Sequence, residues 1–303
     1  MKKLLYIYFI ASKFLFLIVY SLIPREGKFY NYLRLKLENR IIFSPRIKSI
    51  YPIDKELLKD IEVVKIMTPD CVKLHSWFFR PQNNNPVIVF CHGQSENISM
   101  WQDTAKFIKT LGYGALFLSY RGHYKSAGLP SEKGIYTDAE SAIDYLNSQG
   151  IKTENTIFWG RSLGSTIVCE MARKYNLKAI IIESGITNIK SAAITLSETY
   201  LNQGNINFIK PLVSKLWNNI HFVQNFENNK KISKVECPTL IIHSTNDVKI
   251  PCCAAEELFS CKPDAKFKLM NIGCHDSNDW CYSEIEDFLA KVSAQNKDLV
   301  ATR

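Results

Sequence analysis

Four runs, Val87-Ile88-Val89-Phe90, Ala115-Leu116-Phe117-Leu118, Ile157-Phe158-Trp159 and Ala179-Ile180-Ile181-Ile182, carry no polar side chain, and Thr239-Leu240-Ile241-Ile242 carries one. A strand with one wet face alternates apolar and polar residues, so an unbroken run needs cover on both faces. Helical patterns lie between the runs. Ile98, Trp101, Ala105, Ile108 and Leu111 share one face, as do Tyr136, Ala139, Ile143 and Leu146. Apolar strands alternating with amphipathic helices predict an α/β fold, a mostly parallel central sheet with helices on both faces. Phe267–Met270 adds a strand, and the segments after Cys252 and Ser277 read as helices. Upstream, 61–67 and 72–79 flank Pro69-Asp70 and read as a hairpin. With 303 residues, 46% of them hydrophobic, there is room for one large domain.

The run at 157–159 ends in Gly160-Arg161-Ser162-Leu163-Gly164, and a helical face of Leu163, Ile167, Met171 and Tyr175 follows. Strand, sharp turn and helix with G-x-S-x-G at the corner is the setting of a nucleophilic serine. The turn lifts its Oγ above the sheet, and the two glycines let strand and helix approach closely. A serine hydroxyl is a weak nucleophile at neutral pH, so it needs a base, and the base needs an orienting acid. Asp247 follows the strand 239–242 and His275 follows the strand 267–270, both at carboxyl ends of strands, where open α/β sheets bind ligands. Asp276 and Asp279 are alternative acids placed at a helix start, where they suit capping. His92, His123, His221 and His243 compete for the base, but only His275 follows the last strand. The oxyanion of an acyl-transfer intermediate needs two N–H donors. Leu163 offers one directly after the serine, and Gln94, in the loop Cys91-His92-Gly93-Gln94-Ser95, offers the other. His92 reads as a buried residue that shapes this loop.

These motifs resemble the α/β-hydrolase superfamily, in particular membrane-anchored serine hydrolases with an N-terminal hydrophobic segment. The resemblance rests on His92-Gly93-Gln94, Tyr120-Arg121-Gly122 with Lys125-Ser126, the stretch 160–164, Cys237–His243, Asp247 with Ile250-Pro251, and Gly273-Cys274-His275-Asp276, and covers about residues 40–290. It implies the catalytic residues Ser162, Asp247 and His275, an oxyanion hole of Gln94 and Leu163, and no cofactor. Two departures stand out. Gln94-Ser95-Glu96 replaces the small residues or Asn that usually follow His-Gly, and bulky Tyr124 replaces Gly in Tyr-Gly-Lys-Ser. Arg121 reads as a structural tie between loops.

The net charge of +9 is unevenly placed. Residues 1–48 hold ten Lys/Arg and two Glu, leaving 28 basic against 27 acidic residues elsewhere. A nearly neutral domain argues against nucleic acid, and a basic N-terminal segment argues for a charged membrane surface. Leu4 to Ile23 is apolar enough to cross a bilayer, with a cleaved signal peptide as the rival reading. The chain therefore divides into an anchor at 1–24, a basic lead-in at 25–55, a hydrolase domain at 56–293 and a tail at 294–303. The Asn-rich stretch 184–234 reads as a lid-like insertion of short helices. The positive charge following the anchor favours a cytoplasmic domain. Nine cysteines without a C-x-x-C pair read mostly as buried free thiols, with no metal site expected.

The expected activity is cleavage of a carboxylic ester or thioester, with an acyl chain on a lipid or an acylated protein as substrate. A peptidase or lysophospholipase on the same residues is the alternative, and a non-catalytic binding protein is the alternative of another class.

Overall fold

A computed structural model of the chain describes residues 19–20, 22–24, 26–48, 51–204, 207–277 and 279–301. Most of the apolar stretch 4–23 expected to form an anchor lies outside them. No helix among the described residues is long and apolar enough to cross a membrane.

Among these residues the strands form one eight-stranded sheet: β1 (Glu62–Met67), β2 (Lys73–Phe79), β3 (Val87–Cys91), β4 (Gly114–Leu118), β5 (Thr156–Arg161), β6 (Ala179–Glu183), β7 (Thr239–Ser244) and β8 (Lys266–Met270). Its order is β1-β2-β4-β3-β5-β6-β7-β8. The expected hairpin is present, with Val64 opposite Ser76, and β2 also runs antiparallel to β4. All other pairs are parallel. The chain leaves β3 toward β4 on one side and returns to β5 on the other. The crevice at this switch point opens between the loops that follow β3 and β5.

The unbroken apolar runs are explained by two separate cores. Val87, Val89, Leu116, Phe158, Ile180, Ile182 and Ile241 point into one, and Ile88, Phe90, Phe117, Trp159, Ile181 and Ile242 into the other. Successive side chains of a strand go to opposite faces, so both parities must be apolar here. Each such side chain is fully buried or nearly so and contributes roughly 1.5–3 kcal/mol. Helices α4 (Glu132–Ser148) and α5 (Gly164–Lys174) cover the first face, and α3 (Gln102–Thr110) and α10 (Tyr282–Ala301) the second. In two places the elements outrun their sequence signals. Strand β5 continues past the apolar run through Gly160 and Arg161, because β6 supplies ladder partners Ile182 and Glu183. Helix α10 runs on through most of the segment read as a tail.

The insertion folds as α6 (Ile189–Gln203), α7 (Lys210–Asn219) and α8 (Asn228–Ile232). Its Leu201, Val213, Trp217, Ile220, Phe222, Phe226 and Ile232 are buried in the first core, so it packs on the domain along its length. The lead-in also has a fold of its own: Lys28–Ile42 forms helix α1, and Lys55–Asp60 forms α2 at its end. After β7, Cys253–Cys261 forms α9. The nine cysteines are free thiols, but only Cys91, Cys169, Cys237 and Cys281 are buried. Those four lie in or beside the packed elements, whereas Cys71 and Cys274 sit in exposed turns.

The turn between β5 and α5 is sterically tight. A Cβ on Gly164 would lie 2.0 Å from Cys91 O, and one on Gly160 would lie 2.4 Å from Val168 Cγ2. Both contacts are impossible without moving backbone or a packed side chain. Gly164→Ala should therefore cost at least about 3 kcal/mol in urea unfolding. Gly150→Ala, where a Cβ meets nothing within 4 Å and only the φ of +80° is strained, should cost about 1 kcal/mol.

Candidate active site

Ser162 stands at the carboxyl end of β5 with φ 51°, in the left-handed region that a residue with a side chain rarely occupies. The strain is held by hydrogen bonds on both sides. Ser162 N donates to Glu183 O at 2.9 Å, and Ser162 O accepts from Ser165 N at 3.0 Å and Ser165 Oγ at 2.6 Å. The side chain is largely buried.

Because β7 and β8 are neighbours, the loops that follow them meet. His275 Nδ1 donates to Asp247 Oδ2 at 2.7 Å. The other oxygen, Oδ1, accepts from Lys249 N at 2.9 Å and Ile250 N at 2.8 Å. Burial alone would raise the Asp247 pKa, but hydrogen bonds from His243 and His275 and the backbone outweigh it, and the carboxyl is held well below the usual range. The pair is therefore a carboxylate orienting an imidazole by its Nδ1–H, with Asp247 and His275 both buried. Asp276, the rival acid, points away to Lys249 Nζ at 2.5 Å and is exposed.

The other candidate bases have different places. His243 is fully buried, donates from Nε2 to Ile250 O at 2.8 Å, and lies 3.4 Å from Asp247 Oδ2. It lies beside the same carboxylate oxygen that His275 binds, a contact that the spacing had not signalled. His92 is fully buried, and its Nδ1 donates to Gly93 O at 2.9 Å. Its ring stacks on Tyr120 at 4.1 Å, and Tyr120 Oη donates to His92 O at 2.8 Å. It shapes the loop, as the sequence suggested. His123 lies 5.0 Å from it, also buried, with Nδ1 donating to Glu96 O at 3.0 Å. Burial keeps both rings neutral, with His123 lowered to about 4. His221 is exposed on the insertion.

The loop after β3 carries the second expected N–H. Gly93 N donates to Glu96 Oε2 at 2.7 Å, and Ser95 N donates to Phe43 O at 3.1 Å. Among the described residues, the N–H groups of Gln94 and Leu163 have no protein acceptor. The Leu163 N–H lies at the N-terminus of α5, where the aligned peptide dipoles favour negative charge.

Two ion networks, built on the buried Arg121 and Arg161, support these loops. Arg121 donates from Nε to Asp138 Oδ1 at 2.9 Å and from its other nitrogens to Asp70 at 2.6 and 3.0 Å. It ties the β4 loop to α4 and to the hairpin turn, as expected. Beneath the serine, Arg161 lies over the Trp101 ring at 4.7 Å and 3.6 Å from Glu183, whose other oxygen accepts from Trp159 Nε1 at 2.9 Å. Burial pushes Glu183 up to about 7. An acid directly after Ala179–Ile182 was the signal that could have identified this partner. Tyr124 is buried. It packs edge-on against Trp77 and His75, with φ 47°.

A parallel α/β sheet with a strained serine at a strand-to-helix turn and an Asp-oriented histidine at its carboxyl edge defines the α/β hydrolases. A family model described as serine aminopeptidase, S33, matches residues 82–234, half of the chain, and the chain belongs to that hydrolase family. Protein bem46 of Schizosaccharomyces pombe is 27% identical over 79% of this chain and 80% of its own length. The α/β-hydrolase domain protein WAV2 of Arabidopsis thaliana is 32% identical over 49% of this chain, which spans 51% of it. The lysophosphatidylserine lipase ABHD12 of Rattus norvegicus is 29% identical over 59% of this chain, which spans 46% of that protein. Among solved structures, an α/β hydrolase of Vibrio vulnificus superposes with TM-score 0.68 at 21% identity, covering 88% of this chain and 95% of its own. An esterase of Pyrococcus furiosus gives 0.65 at 17%, covering 83% and 98%. Both likenesses are of fold.

The buried neutral histidines have a pH consequence. The His123 pKa is about 4 in the folded state against 6.5 for a free imidazole, so below pH 6.5 the unfolded chain binds a proton that the native state refuses. The stability advantage of wild type over His123→Gln is full above pH 6.5. It should fall by about 3 kcal/mol by pH 4, read as the difference in urea-unfolding free energy.

Proposed function

We propose that the protein is a serine hydrolase that cleaves a carboxylic ester or thioester through an acyl-enzyme on Ser162. The observation that carries this reading is the 2.7 Å bond from His275 Nδ1 to Asp247, with a strained Ser162 at the carboxyl end of β5 in the same sheet. His275 Nε2 takes the Ser162 Oγ proton as the Oγ attacks the carbonyl carbon. The C=O electron pair moves to oxygen, and the oxyanion is held by Gln94 N–H and Leu163 N–H. His275 then gives the proton to the departing alkoxide or thiolate. Water, deprotonated by the same imidazole, releases the acid and restores the serine. Asp247 stays ionised throughout and stabilises the imidazolium.

An acyl chain is the favoured substrate part. The similarity to a lysophosphatidylserine lipase supports it. A lysophospholipid is accordingly the second reading of the same site, with the lead-in's positive charge suited to an anionic headgroup or membrane surface.

A fluorophosphonate probe should label the wild type and leave Ser162→Ala unlabelled. A folded wild type that stays unlabelled would sink the hydrolase reading and favour a binding protein. Asp247→Asn should lower kcat about 10⁴-fold by leaving the imidazole in the wrong tautomer. On p-nitrophenyl esters, kcat/KM should rise from acetyl to octanoyl. A preference for acetyl would argue against an acyl-chain site.

A further inference from the structure

We propose that helix α1 belongs to the catalytic unit. It sets the oxyanion loop through the Gln94 side chain, and Glu38 is the positioning residue that holds the helix in place. This rests on the oxyanion role given to the Gln94 N–H above.

The last carbonyls of a helix have no partner within it. In α1 they are used on the oxyanion loop. Ile41 O accepts from the Gln94 side-chain amide, as well as from Ser44 Oγ at 3.3 Å. Phe43 O accepts from Ser95 N at 3.1 Å. Farther along, Arg46 O and Lys48 O accept from Asn97 Nδ2 at 3.3 and 2.8 Å, and Arg46 O accepts from Tyr124 N at 2.7 Å. Gln94, Ser95 and Asn97 are thus tied to the stretch 41–48. Ser95 has φ 58°, a conformation that the loop does not favour unaided. The peptide that carries the Gln94 N–H is held on one side by Gly93 N on Glu96, and on the other by the Gln94 side chain and Ser95 N, both bound to the N-terminal segment.

One turn earlier the helix is clamped to the insertion. Glu38 is fully buried, one of two acids among ten basic residues in 1–48. A buried carboxylate needs acceptor bonds to offset its desolvation. It receives Val223 N at 2.7 Å, Gln224 N at 2.9 Å, Gln224 Nε2 at 3.4 Å and Tyr20 Oη. The Arg34 guanidinium adds a bond to His221 O. The segment it grips is fixed in turn, because Glu132 takes Asn225 N at 2.9 Å and Phe226 N at 3.1 Å. Phe43 packs edge-on against Phe226 at 6.0 Å. A single rigid helix therefore joins the insertion to the oxyanion loop.

The test uses the full chain with p-nitrophenyl butyrate. Fluorophosphonate labelling of wild type at Ser162 is established first, so its absence counts against the hydrolase reading alone. Gln94→Met keeps the side-chain length and removes the donor. It should lower kcat roughly ten- to a hundredfold with KM within about twofold, because a misaimed donor is felt in the transition state. Glu38→Gln should do the same, and the double variant should be no worse than the weaker single one. Lys36→Gln, on the exposed face of α1, should be silent. Unchanged kcat in folded Gln94→Met, or losses that multiply in the double variant, would overturn the proposal. If Glu38→Gln does not fold, the half-exposed Gln94→Met decides by itself.

Discussion

The close approach of Gly164 to the carbonyl of Cys91 is the contact on which the site depends. It brings the start of α5 against the end of β3, so the loop after β3 and the turn after β5 share one crevice. A side chain at 164 would push them apart. The left-handed Ser162 is a consequence of the same geometry, since the chain must reverse from strand to helix within two residues. Its strain, of order 1–3 kcal/mol, persists because the surrounding sheet over-determines it.

Buried charge is distributed around this crevice in a consistent way. Arg121 with Asp70 and Asp138, and Glu38 with its amide donors, are satisfied by partners from distant parts of the chain, and Arg161 lies 3.6 Å from Glu183. Such pairs add little net stability compared with an apolar replacement, but removing one partner leaves a charge stranded at a cost of about 3–5 kcal/mol. Their effect is to make loop positions specific. Arg121 fixes the loop after β4, Glu183 supports the strand that carries the serine, and Glu38 fixes the N-terminal helix.

That helix changes the view of the N-terminal segment. Composition alone marks 25–55 as a basic connector to something else. Its hydrogen bonds instead place it against the loop after β3 and the insertion, with Phe43 buried in the first core. The positive charge faces solvent at Lys28, Lys36 and Arg40, while Arg34 and Glu38 turn inward.

The sequence by itself determined the doubly covered parallel sheet, because runs such as Ala179–Ile182 can be stable only with apolar cover on both sides. It also determined where the elbow falls, since Gly160 and Gly164 are the two residues whose missing Cβ the turn requires. That Asp247 and His275 would meet follows from strand order, which places the two loops side by side. What only the tertiary structure decided are the pairings across long sequence separations. Nothing local couples Glu38 to Val223 and Gln224, or Gln94 to Ile41. A polar residue within an amphipathic pattern looks the same whether its partner is water or a backbone amide nearly two hundred residues away. Burial creates the need for that partner, and burial is known only when the chain is folded.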